Sequence, residues 1–124
     1  MKLFNFGHTI TRTPDHDDIR HGVEEWASNR NLIEHSYERC LAQLNKTREE
    51  LDEIQQALKT YFEDRTDENL QELELEYGDA FVTLIIGMAC AGTCSDTIAL
   101  EKALKKISKR TGKVVDGQFV KDKY

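Results

Sequence analysis

The sequence predicts an all-α protein: a four-helix bundle followed by a short C-terminal β-hairpin. Three observations predict it. Apolar residues recur at three- and four-residue intervals through most of the 124 residues, which is the repeat of an amphipathic helix. Serines at positions 36 and 95 stand where helix N-caps are needed, and Gly92 stands where a helix should stop. The tail places Asp116-Gly117 between two β-prone runs, the local signature of a tight hairpin.

Taken in order, residues 1–18 contain Gly7, Pro14 and Asp15-His16-Asp17-Asp18 and read as an irregular arm. A first helix is expected over residues 18–34, with Ile19, Val23, Trp26, Ala27 and Ile33 at near-helical spacing. A second is expected from Ser36 to about Phe62, and the polar stretch at residues 63–67 turns the chain. The third begins near Asp67, taken as its cap, and runs to Ala91. The fourth follows Ser95, turns Ile98, Ala99, Ala103, Leu104 and Ile107 inward, and stops before Gly112. The expected organisation is one domain over residues 1–124, with residues 113–124 as a hairpin tail that must lean on the helices or on another subunit.

Composition narrows the class. Hydrophobic residues make up 39% and charged residues 32% of the chain, values that suit a soluble helical domain. A net charge of −6 argues against broad binding to nucleic acid, whose phosphates call for a basic surface. No apolar run approaches the roughly 20 residues of a membrane span, and the N-terminal residues lack the pattern of a signal peptide. Cytoplasmic residence without membrane attachment is the expectation. Cys40, Cys90 and Cys94 match neither a redox C-x-x-C nor a zinc set and read as small buried residues. The four histidines precede the acidic helices and form no E-x-x-H pair, against a carboxylate di-iron centre.

Two carboxylate pairs carry the chemical signal. Glu50 with Glu53, and Glu76 with Asp79, are each three residues apart and so project from one face of a helix. At about 100° per residue, Leu44, Leu51, Ile54 and Leu58 share an arc, and Lys46, Glu50 and Glu53 occupy the arc beside it. In the next helix Glu72, Glu76, Asp79 and Thr83 form a stripe beside Leu70, Leu73, Tyr77, Phe81, Leu84 and Met88. Like charges at the edge of a core are costly unless neutralised. Oxygen-only donors favour Mg²⁺ or Mn²⁺ over zinc, so Glu50, Glu53, Glu76 and Asp79 are the candidate metal ligands. Taken alone, each pair reads first as a solvated acidic face; two pairs beside two apolar seams are what raise a metal site to equal standing. Gly78, inside the third helix, costs about 1 kcal/mol against alanine; its missing side chain is expected to admit a facing helix or a phosphate beside Asp79.

These residues also resemble a family. Lys46-Thr47-Arg48-Glu49-Glu50-Leu51-Asp52-Glu53 resembles the K-x-x-E-E-x-x-E helix of MazG-like nucleoside triphosphate pyrophosphohydrolases. Leu75-Glu76-Tyr77-Gly78-Asp79 is similar to their E-x-x-D helix, and Lys106-Ile107-Ser108-Lys109-Arg110 to their K-x-x-x-R element. The three elements occur in order over residues 26–110. Tyr77 replaces the usual leucine, and Leu104 stands where many members carry a nucleotide-contacting asparagine.

The resemblance implies a four-helix MazG-like bundle and a Mg²⁺-dependent (or Mn²⁺-dependent) enzyme. Its reaction would split a nucleoside triphosphate into monophosphate and pyrophosphate, in nucleotide-pool control or phage nucleotide metabolism, with dGTP one candidate. It implies that Glu49 orients or deprotonates the attacking water, and that Lys46, Lys106 and Arg110 bind phosphate oxygens. Lys106 and Arg110 are also compatible with a solvated C-terminal turn that complements the helix dipole. Trp26, Arg30 and Asn31 resemble a base-holding element of phage and bacterial members, while Trp26 is equally compatible with simple core. A homodimer or homotetramer is the expected assembly. The alternatives are phosphoribosyl-ATP pyrophosphohydrolase chemistry and a non-catalytic helical interaction protein.

Overall fold

The computed structural model describes residues 13–93 and 95–122. Cys94 and most of the N-terminal arm, residues 1–12, lie outside them. The described residues form four helices and one hairpin: α1 (His16–Ser28), α2 (Tyr37–Glu63), α3 (Asp67–Ala91), α4 (Asp96–Ile107), β1 (Gly112–Val115) and β2 (Gln118–Lys121). They divide into two compact units, Met1–Thr93 and Cys94–Tyr124.

In the first unit α2 and α3 run antiparallel across a connection of three residues. Thr47 meets Thr83 at one level, while Ile54 clusters with Leu73 and Ala80 further along. Ser36 caps α2 by accepting from the Arg39 amide. Thr66, rather than Asp67, caps α3 by accepting from the Asn69 amide, and Asp67 becomes the first helical residue. Either side chain supplies an oxygen to free amides; Thr66 holds the extended backbone that an N-cap requires. Gly92 ends α3 in the left-handed region, with φ of 71°.

α1 packs across α3, where Ala27, Ile86 and Cys90 form a buried cluster with Val23, Leu32, Ile33, Cys40 and Val82 around it. The helix starts earlier than the sequence suggests, because Asp15 and Asp18 form a reciprocal capping box. It also stops six residues earlier, at Ser28 rather than residue 34. Asn31 takes a left-handed φ of 59°, a conformation that asparagine tolerates and that breaks a helix. Leu32 and Ile33 therefore reach the core from a loop. That loop is tied to the end of α3 by His35 Nδ1 against the Cys90 carbonyl oxygen at 3.0 Å, and by Cys90 Sγ donating to the Leu32 carbonyl at 3.5 Å.

In the second unit Ser95 caps α4 as expected, accepting from the Ile98 amide. The helix ends at Ile107 with Ser108 as its C-cap, so Arg110 lies beyond it and is not one helical turn from Lys106. The expected inward face is not covered: Ile98, Leu104 and Ile107 are exposed, and α4 has no buried residue. Amphipathic spacing specifies that a face is apolar and leaves open which surface covers it. The hairpin forms as expected, with Val115 paired to Gln118 and positive φ of 51° and 76° at Asp116 and Gly117, the backbone of a primed turn. Thr111 closes its base by donating to Asp122 at 2.7 Å.

No single helix among the described residues is long and apolar enough to cross a membrane.

A candidate metal centre on the α2–α3 seam

The seam fixes the carboxylates. Thr47 and Thr83 are both buried with their hydroxyls 2.7 Å apart, so one donates to the other and the acceptor passes its own proton to a carbonyl of its helix, Gln43 for Thr47 or Ala80 for Thr83. With those hydroxyls satisfied, the two helices are locked at this level, and the residues bordering the seam on one side are Glu50, Glu76 and Asp79. Each offers one carboxylate oxygen, and the three oxygens lie within 4.8 Å of one another. All three residues are half-buried.

Glu53 does not join this group. It is exposed, although its charge still reaches Glu76. Around the α2 axis Glu50 lies about 40° from the buried Ile54, whereas Glu53 lies about 100° away, so only Glu50 borders α3. The Glu76 carboxyl is pushed above its ordinary value. Loss of surrounding water is the main cause, followed by a hydrogen bond with Glu72 and by the charges of Asp79, Glu72 and Glu53. A carboxyl that resists ionisation among like charges is what a divalent cation would relieve.

Lys46 balances part of this charge, with its Nζ 3.8 Å from Glu49 and 3.9 Å from Glu50. Glu50 has 14% of its side chain exposed and Glu49 68%, so the adjacent glutamates occupy different environments. A cavity of about 540 Å³ opens beside them. Lys46, Glu49, Glu50 and Asp79 line it together with Gln43 and with the apolar side chains of Trp26, Leu32, Val82 and Ile86. The volume falls within the roughly 300–1,000 Å³ of small-molecule sites.

Trp26 is therefore not simple core: it is 36% exposed and lines the cavity. The Arg30 guanidinium sits 4.3 Å from its ring centroid and donates to its carbonyl. Asn31 is not among the cavity residues; its carbonyl accepts from Arg39. Lys106 lies in the last turn of α4, and the Arg110 amide donates to the Ile107 carbonyl, both in the second unit. Gln43 was not expected at the site. Its signal in the sequence is its spacing, three residues before Lys46 and seven before Glu50, on the flank of α2 that carries them.

No facing helix comes close to Gly78. A β-carbon there would meet nothing within 4 Å, because the residue points away from the seam.

The donor set is all oxygen, converges to one small region and has an unfavourable charge that a hard cation would offset, so it fits Mg²⁺ or Mn²⁺ better than zinc. Comparison of the chain with protein-family models, with curated proteins and with solved structures finds no match.

Proposed function

We propose that this chain is a Mg²⁺-dependent nucleoside triphosphate pyrophosphohydrolase of MazG-like fold. The observation that carries the proposal is the convergence of Glu50, Glu76 and Asp79, of which Glu50 and Asp79 line a cavity that Trp26, Leu32, Val82 and Ile86 also line. A triphosphate and a base need those two environments: cation and ammonium at the anionic end, an aromatic and apolar wall at the other. The ordered K-x-x-E-E, E-x-x-D and K-x-x-x-R elements support the same reading.

Glu50, Glu76 and Asp79 would hold the cation, with Glu53 close enough to add charge. When bound, Mg²⁺ would neutralise phosphate oxygens and favour ionisation of water. Lys46 adds an ammonium at the same end. Glu49 keeps a more exposed carboxylate against Lys46, at the cavity edge, where it accepts a proton from the attacking water. Trp26, held by Arg30, offers an aromatic surface to the base.

The test is a panel of standard and modified ribo- and deoxynucleoside triphosphates, with phosphoribosyl-ATP included, incubated with Mg²⁺ or Mn²⁺. Monophosphate and pyrophosphate are read separately. The proposal expects both products in equal amounts from at least one triphosphate. Release of orthophosphate alone, or turnover of phosphoribosyl-ATP alone, would replace it. The absence of both cation binding and turnover would return the chain to a helical interaction protein.

A further inference from the structure

The cavity beside the carboxylates runs along the α2–α3 seam. Thr47 faces Thr83 across that seam, and one turn further a β-carbon added at Gly87 would come within 3.4 Å of the Gln43 β-carbon. Because the helices run antiparallel, Gln43 shares its level with Ile86 and Gly87, whereas Glu50 lies near the level of Asp79. The seven positions from Gln43 to Glu50 span about 10 Å along the axis. Gln43 also stands one turn from Cys40, which packs with Leu32 against the cluster of Ala27, Ile86 and Cys90. It therefore belongs to the apolar level of the cavity.

The neighbouring polar side chains of that cavity are engaged with one another. Lys46 pairs with Glu49 and Glu50, Glu50 and Asp79 belong to the three-oxygen group, and the Thr83 hydroxyl meets that of Thr47. Gln43 differs. It is half-buried, and its side-chain amide makes no hydrogen bond among the described residues. On an open helix face water satisfies such an amide; here it lines a cavity together with Trp26. A primary amide offers donors and an acceptor side by side, the complement of a nucleobase edge.

We infer that Gln43 is the specificity-determining residue of the site, hydrogen-bonding a donor and an acceptor on the edge of the base while the Trp26 ring lies against the base's face. The inference rests on the triphosphate reading proposed above. The phosphates then extend along α2 past Lys46 to the cation held at Glu50, in the order in which these residues stand on the helix. An apolar wall accepts every base nearly alike. An amide in fixed position does not, because a base of the wrong donor and acceptor order leaves it unpaired.

Gln43→Met tests this, since it keeps the side chain's length and removes the amide. With the full chain and Mg²⁺, kcat/KM is measured for adenine, guanine, cytosine and uracil nucleoside triphosphates and for a base-free deoxyribose triphosphate. The wild type should prefer one base by about 10- to 100-fold, the worth of a two-bond base contact. Gln43→Met should reduce that preference to a few-fold, with the loss confined to substrates that carry a base. Wild-type ratios retained in an active Gln43→Met enzyme would overturn the inference and leave the pyrophosphohydrolase reading standing, as would a wild type that treats the bases alike. An equal loss on the base-free compound would overturn it too, by grouping Gln43 with the phosphate-binding residues. A wild type inactive on every triphosphate removes the reading and the inference together. Where Gln43→Met fails to fold, Gln43→Glu decides: it exchanges the donors for an acceptor in nearly the same volume, and unchanged base ratios overturn the assignment.

Discussion

On one flank of the α2–α3 pair, Glu50, Glu76 and Asp79 bring three carboxylates together beside a cavity. On the other, Leu44, Leu51, Phe81 and Leu84 expose apolar side chains along the same two helices. Between them runs a narrow seam of Thr47, Ile54, Leu73, Ala80 and Thr83. Both flanks depart from what a water-facing helix surface favours, one by concentrating like charge and the other by exposing apolar area. The difference teaches that the seam alone defines the pair's geometry, while its two flanks diverge in chemistry, one gathering carboxylates and the other exposing apolar side chains.

The largest expected effect breaks the acidic flank. Glu50→Gln or Asp79→Asn preserves size while removing a ligand charge, and should lower turnover by at least about 100-fold. The thermal shift produced by Mg²⁺ should shrink in parallel. Glu53→Gln, outside the three-oxygen group, should cost distinctly less; equal losses at all three positions would enlarge the ligand set to include Glu53.

The seam comes next. Ile54→Ala should destabilise by about 2–4 kcal/mol, the cost of a cavity in a packed site, as measured by urea unfolding. Leu51→Ala, three residues away on the outer flank where the side chain is exposed, should cost under about 1 kcal/mol. A penalty as large as that of Ile54→Ala would place Leu51 in the core.

Gly78 belongs to neither flank and has open space where its side chain would be. Gly78→Ala should stabilise α3 by about 0.5–1 kcal/mol through helix propensity. A loss of activity without loss of stability would show that substrate approaches there.

The smallest effect is electrostatic. Glu76 holds its proton to higher pH in the folded chain than in the unfolded one. Above the ordinary value of 4.5 the folded state therefore holds more protons than the unfolded one, and stability falls as pH rises through that window. Without divalent cation, Glu76→Gln should melt above the wild type at pH 7.5, and the advantage should vanish well below pH 4.5. An advantage unchanged by pH would trace it to packing.

Much of this was legible locally. The caps at Ser36 and Ser95, the stop at Gly92 and the Asp116-Gly117 turn follow from side chains or backbone freedom acting within a few residues. The acidic and apolar stripes follow from the 3.6-residue repeat, which needs no knowledge of neighbours. The early end of α1 was harder to read, because Ile33 continues the apolar spacing while entering the core from a loop.

What only the tertiary structure decided is which stripe residues meet. The sequence offers four carboxylates of equal standing; the depth at which Thr47 and Thr83 lock the helices selects Glu50, Glu76 and Asp79 and leaves Glu53 facing water. It brings Trp26 and Gln43 to the same cavity from separate helices, leaves Gly78 in open space, and buries Ile54 and Leu73 while exposing Leu51 and Phe81. Helical periodicity sets the direction of every side chain from its own helix, whereas convergence depends on the separation and rotation of two helices, which long-range packing alone determines.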